Sequence, residues 1–177
     1  MAPTRNERVR PLSLALLLAL TGCAHTPAQQ SASLLQRLGG HWTGTLEYVD
    51  YQPPHGHVRL PTQLTGTFAD GALQLEFVFD DGPGKTVVSR ESLRVDGSTV
   101  RWGDEKREQV FSVVEATADR LLLEVEGADD DAPATLREQF ELTAGHLRLV
   151  KTVRARAAGP GAPFVFRHGY DFTLTAR

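Results

Sequence analysis

The chain has one cysteine, one methionine and no excess of positive charge, and each shortage removes a class of protein. A single cysteine excludes an internal disulfide framework and a cysteine-built metal site, so the domain must fold on its core alone. Its 177 residues carry 19 Lys and Arg against 22 Asp and Glu. A nucleic-acid surface needs a basic stripe, and adhesion to anionic lipid needs a polybasic segment; this balance argues against both. A transmembrane helix requires about 20 apolar residues, whereas the run Leu12 to Leu20 supplies nine positions. A nucleophile elbow, a phosphate loop, a zincin helix and a dinucleotide fingerprint are also missing. No motif therefore names a catalytic activity or a cofactor, and the expectation is a protein that is not an enzyme.

What is present begins with order near the amino terminus. Arg5, Arg8 and Arg10 precede the apolar run, which leads directly into Leu20-Thr21-Gly22-Cys23. Basic, apolar and small residues in that order make a secretory signal, and the Leu-x-Gly-Cys block resembles the precursors of bacterial lipoproteins. That resemblance implies cleavage before Cys23, attachment of diacylglycerol to its thiol, usually a third acyl chain of palmitate type on the new amino terminus, and a protein held on a membrane by lipid. With Ala24 rather than aspartate after the cysteine, it implies the outer membrane, periplasmic face. Residues 1–22 would be the signal peptide. Their loss removes three arginines and Glu7, leaving 16 basic and 21 acidic residues, a net charge of −5. Residues 23–33 are small and polar and read as a lipidated flexible tether.

Residues 34–177 fit one domain. Leu34, Leu35 and Leu38 have helical spacing and suggest a short helix ending at Gly39-Gly40. From His41 onward, short alternating runs rich in Val, Thr, Leu and aromatics are separated by turn residues. Strands are expected near 41–50, 57–68, 72–80, 85–95, 98–102, 107–115, 120–127, 134–142, 146–154 and 163–176. The connections are too short for crossover helices, so the order is an antiparallel meander. Closing it into a barrel of about ten strands, within a range of eight to ten, removes its exposed edges. The expected fold is all-β: a short helix followed by an antiparallel barrel.

Three turns set the register. A two-residue Asp70-Gly71 turn puts Phe68 opposite Leu73, Leu64 opposite Phe77 and Thr62 opposite Phe79. Asp96-Gly97, treated alike, pairs Val95 with Ser98 and Leu93 with Val100. Ala144-Gly145 pairs Phe140 with Leu149, Glu138 with Lys151 and Leu136 with Val153. A one-residue slip would turn each apolar set to the wrong face.

Gly40-His41-Trp42, at the head of the first strand, resembles the Gly-x-Trp opening of the calycin superfamily, which includes lipocalins, fatty-acid-binding proteins and nitrobindin-like haem proteins. The resemblance implies that Trp42 closes the bottom of the barrel beneath an arginine of a late strand, with Arg148, Arg154, Arg156 and Arg167 as candidates. Ten strands fit the fatty-acid-binding or nitrobindin branch better than the eight-stranded lipocalins. No ligand is carried over.

The candidate site residues come from alternation. In the last strand, Phe164, Phe166, His168, Tyr170, Phe172 and Leu174 share the face expected to point inward, which carries His168 and Tyr170 into the interior. Trp42, Gly44, Leu46 and Tyr48 share a face in the first strand. Glu138 and Lys151 oppose each other inside an apolar stripe, where desolvation is costly unless the pair is well made or wet. Tyr48, Glu138, Lys151, His168 and Tyr170 are therefore the expected lining of a cavity for a small hydrophobic or amphipathic ligand. The alternatives are a packed barrel acting through protein–protein contacts and, third, a haem barrel in which His168 is the iron ligand. Interior volume separates the first two, because Trp42, Phe164, Phe166 and Phe172 would go far towards filling the core. His55-Gly56-His57 lacks a third metal ligand. Ala128-Asp129-Asp130-Asp131 reads as a solvated loop, without the glycine and glutamate of a calcium loop.

Overall fold

The computed structural model describes residues 25–50, 52, 54, 56–104 and 106–176. Cys23, with the signal and lipidation expected around it, and His55 lie outside the described residues. One helix, α1 (Pro27–Arg37), leads into ten strands: β1 (Gly40–Val49), β2 (His57–Ala69), β3 (Ala72–Asp80), β4 (Thr86–Asp96), β5 (Thr99–Gly103), β6 (Glu108–Ala116), β7 (Arg120–Asp129), β8 (Ala132–Thr143), β9 (His146–Ala155) and β10 (Val165–Ala176). Each strand pairs antiparallel with its sequence neighbours, and β10 returns to β1 to close the barrel. All ten expected strands are present.

The helix starts earlier than the leucine spacing predicts, because its beginning is encoded by polar residues. Thr26 caps the first turn through Gln29, the Gln29 side chain answers the Thr26 backbone, and Pro27 occupies the first turn. That reciprocal pair satisfies two amide donors, and proline tolerates the position since its missing N–H would have no partner there. Residues 27–33 are thus helical and not part of a tether. Ser31, Leu34, Leu35 and Leu38 lie on one face and are buried in the end of the barrel.

Trp42 stands where the Gly-x-Trp resemblance implies, 1% exposed, and its indole N–H donates to the Leu38 carbonyl at 3.0 Å. The four candidate arginines are engaged elsewhere. Arg148 is paired with Glu141, Arg156 with Glu126 and Arg167 with Asp129, while Arg154 reaches the Pro160 carbonyl. The helix covers Trp42 instead.

The Asp70-Gly71 and Ala144-Gly145 hairpins have the expected register in full. Asp70 and Gly71 both have positive φ, 53° and 74°, as a type I′ turn demands. The β4–β5 turn differs: Asp96 pairs with Thr99 and Leu93 with Trp102, so the two loop residues are Gly97 and Ser98. Only Gly97 has positive φ, 58°, which fits a type II′ turn with glycine first. The partner of Leu93 shifts by two residues, from Val100 to Trp102, so the faces are unchanged.

In the acidic segment 128–131, Asp130 and Asp131 are the exposed turn of a hairpin, as a solvated loop would be, while Ala128 and Asp129 belong to β7. Asp129 ends β7 opposite Ala132, and Asp130 and Asp131 form the turn with φ of 49° and 60°. Asp129 meets the Arg167 guanidinium at 2.6 Å with its side chain 10% exposed.

The largest departure is in β10. Phe166 lies opposite Thr152 but His168 lies opposite Lys151, so two residues advance on β10 for one on β9. Such a bulge turns the preceding segment over. Phe166 therefore faces outward, stacked on His57 with ring centroids 6.0 Å apart. Phe164 lies beneath Arg137 and Arg154, which sit 3.7 and 4.6 Å from its ring centre. Two of the four aromatics expected to fill the interior are outside it.

The fit between helix and barrel is tight at Gly66, where an added Cβ would stand 2.3 Å from the Leu38 carbonyl oxygen. Gly66→Ala is expected to cost about 1–3 kcal/mol, the range for overpacking, as a lowered midpoint in urea denaturation. An unchanged midpoint would show that α1 is free to move.

Candidate functional site

The interior has two unlike halves. Towards the end covered by α1 it is filled by Trp42, Leu73, Leu93, Val100, Leu121, Phe140, Leu142, Leu147 and Phe172. Towards the other end lies a cavity of about 680 Å³ whose lining includes the β5–β6 loop residues Gly103, Asp104, Lys106 and Arg107. Phe77, Trp102, Phe111, Leu136 and Leu149 provide its apolar surface, and Glu91, Glu138, Lys151, His168 and Tyr170 its inner polar groups.

Four of the five residues expected from alternation are thus brought together. Tyr48 is not among them. It lines a neighbouring recess of about 210 Å³ with Leu46, Val49, Arg167, His168 and Tyr170, so His168 and Tyr170 border both spaces. The β10 bulge creates that arrangement by bringing Arg167 and His168 to the same recess.

Glu138 and Lys151 face each other across β8 and β9 as expected, yet no ion pair joins them among the described residues. Glu138 is 6% exposed, and its Oε2 has no hydrogen-bond partner. Burial pushes its carboxyl up to about 8; the Lys151 charge opposes that rise and the Glu91 charge adds to it. Near neutral pH Glu138 is therefore mostly a protonated acid able to donate as well as accept. The clamp of two opposed charges expected from the register is not made, because relieving the carboxylate by protonation costs less than desolvating it.

His168 moves the other way. Burial holds its imidazole down to about 4, and the Lys151 charge acts in the same direction. Burial also pushes the Tyr170 phenol up, as do the Glu91 and Glu138 charges. Tyr170 packs against Phe77 and Phe172 at 5.1 and 5.5 Å and meets His168 edge-on at 5.7 Å. None of Glu138, Lys151, His168 and Tyr170 makes a side-chain hydrogen bond within the protein among the described residues. Most buried polar groups do have one, so the buried Glu138 is an exception, while Lys151, His168 and Tyr170 are only partly buried.

Glu91 and Trp102 are site residues that alternation alone did not single out. The Trp102 indole N–H donates to Glu91 Oε2 at 2.6 Å, and the Ser89 hydroxyl donates to Oε1 at 3.4 Å. Trp102 stacks obliquely on Phe111 and Phe140, which fixes the indole that holds Glu91. The signal was available: Glu91 is two residues from inward Leu93, on a strand whose inner face the Leu73–Leu93 pairing defines. His57, by contrast, is on the outer surface, bound to Glu47 at 2.8 Å.

The geometry describes a closed ten-stranded antiparallel barrel with one end plugged and a partly polar cavity at the other. A crystal structure of Rv2717c from M. tuberculosis shares this fold, with a TM-score of 0.54 at 17% sequence identity, covering 86% of this chain and 99% of that one. At that identity the likeness establishes the fold alone. No protein-family model matches the chain, and no curated protein matches it.

The two displaced acid–base equilibria have opposite signs in stability. Between 4.5 and about 8 the folded chain keeps a Glu138 proton that the unfolded chain releases, so stability falls as pH rises. Between about 4 and 6.5 the unfolded chain takes up a His168 proton that the folded chain refuses, so stability falls as pH drops. The two oppose each other below 6.5, and Glu138 acts alone above it. Stability is expected to decline from pH 6.5 to 8 by up to about 1.4 kcal/mol per pH unit, and Glu138→Gln should remove most of that decline. Urea denaturation of both proteins across this range is the check; parallel curves would show that Glu138 is not the titrating group.

Proposed function

We propose that this is a lipid-anchored protein of the bacterial cell envelope that binds a small amphipathic molecule in its barrel, as a carrier or receptor and not as an enzyme. The observation that supports this best is the set of four hydrogen-bonding side chains, Glu138, Lys151, His168 and Tyr170, which line one cavity and make no side-chain hydrogen bond among the described residues, with Glu138 Oε2 buried and unpaired. A ligand head group with acceptor atoms would satisfy the Lys151 ammonium, the protonated Glu138 and the Tyr170 hydroxyl together. Its apolar part would rest on Phe77, Trp102, Phe111 and Leu149. A barrel acting only through its outer face needs no such void, and the outward turn of Phe164 and Phe166 works against solid packing. Anchoring belongs to the same proposal. It is supported by the Leu20-Thr21-Gly22-Cys23 block, and no described helix is long and apolar enough to cross a membrane.

A second reading, haem held by His168, has one observation in its favour. The imidazole borders the cavity, is neutral near pH 7 and makes no protein hydrogen bond, which is the state that ligates iron. Bound haem would supply a redox-active, gas-binding iron. In this chain His168 would hold it, and Lys151 and Glu138 would stand beside it. Absorbance near the Soret band in freshly purified protein, lost in His168→Ala, would select this reading; its absence would leave the amphiphile.

Lys151→Met keeps much of the side chain's length and removes its charge. Losing one charge-assisted hydrogen bond is worth about 1.5–3 kcal/mol, so affinity for 1-anilinonaphthalene-8-sulfonate, an anionic amphiphile, is expected to fall about tenfold or more. Since Glu138 is already protonated and unpaired, the empty protein should lose little stability. Equal affinity in the two proteins would contradict the assignment of Lys151. Cys23→Ala should move the protein from the membrane to the soluble fraction, and continued complete membrane association would sink the anchoring claim.

A further inference from the structure

Resting on the anchoring at Cys23 proposed above, we infer that the open mouth of the barrel is held away from the bilayer, so that ligand is exchanged through the aqueous compartment and not drawn directly from the anchoring membrane. The argument is one of lengths. The Thr26 cap begins α1, and α1 is fastened to the plugged end of the barrel. Its Ser31, Leu34, Leu35 and Leu38 are buried there, the Leu38 carbonyl is held by the Trp42 indole, and Arg37 bonds the Ala118 carbonyl and Asp119 in the β6–β7 turn. The cavity opens at the opposite end, beside the β5–β6 loop.

Two residues, Ala24 and His25, lie between Cys23 and Thr26, and a fully extended chain covers at most about 11 Å over those three steps. Strands of ten residues rise about 33 Å, and a tilt near 40° reduces this to a barrel height of about 25 Å. With the mouth against the bilayer, Thr26 would stand at the far end of the barrel, about twice as high as the link to the lipid can reach. The capping box matters here. By starting the helix at Pro27 it shortens the free link, where an unstructured segment to residue 33 would have allowed the barrel to turn over.

The protein suits a direct test, because the only native cysteine is the one that carries the lipid. Lipidated full-length chain is reconstituted into vesicles with single added cysteines carrying a fluorophore. Ser98→Cys reports the plugged end, in the β4–β5 turn, while Lys85→Cys and Lys106→Cys report the mouth end; all three native residues are exposed. Nitroxide-labelled lipid is expected to quench the Ser98 label several-fold more than either mouth label, and iodide in the buffer should show the reverse order. Inserting a long Gly-Ser segment between Cys23 and Thr26 should erase the difference. Mouth labels quenched as strongly as Ser98 in the native-length chain, or a difference that survives the insertion, would overturn the inference while leaving the anchoring intact. A chain that fails to float with the vesicles would overturn the anchoring and the orientation with it.

Discussion

The hydrogen-bonded ladder between β1 and β10 is the constraint on which the rest depends. Once Trp42 stands beside Leu174 and Tyr48 beside His168, the sheet has no free edge, and alternate side chains on every strand are committed to a finite interior. The cavity in that interior lies towards the end that α1 does not cover. A polar residue on the inner face must then find a protein partner, change its protonation state or line a space that something else occupies. Glu91 takes the first course through Trp102, and Glu138 takes the second. Lys151, His168 and Tyr170 line the space.

The division of the barrel follows from where the large side chains fall. Trp42, Phe140 and Phe172, together with the buried leucines, fill the half under the helix and supply most of its apolar burial, at about 25 cal/mol per Å² removed from water. The other half has fewer large groups because the β10 bulge diverts Phe164 and Phe166 to the outer surface, where Arg137, Arg154 and His57 cover them. One inserted residue thus separates a barrel that could pack solid from one that holds a cavity of about 680 Å³. It also brings Arg167 next to His168 and within reach of Asp129, tying β10 to the β7–β8 tip.

How much of this was legible in the sequence depended on whether the signal was local. Asp70-Gly71 and Ala144-Gly145 specify their own register, so the inward positions of Leu73, Phe77, Glu138 and Lys151 followed from counting. The β4–β5 shift leaves no local mark because Asp96-Gly97 and Gly97-Ser98 are both acceptable two-residue turns. The bulge leaves no mark on strict alternation, which is why two phenylalanines were assigned to the wrong face. The polar residues 27–33 have the composition of a tether, and only the reciprocal Thr26–Gln29 cap marks them as helix. Proximity without an ion pair, as between Glu138 and Lys151, is set by side-chain geometry that pairing register does not contain.

The most direct measurement is native mass spectrometry of the protein isolated under mild conditions from the cells that make it, compared with the same sample denatured. A cavity whose polar lining is completed by a ligand predicts an additional mass in the native spectrum that is released on denaturation and reduced in Lys151→Met. An identical mass before and after denaturation, in protein whose cavity remains open to added amphiphile, would contradict the binding role.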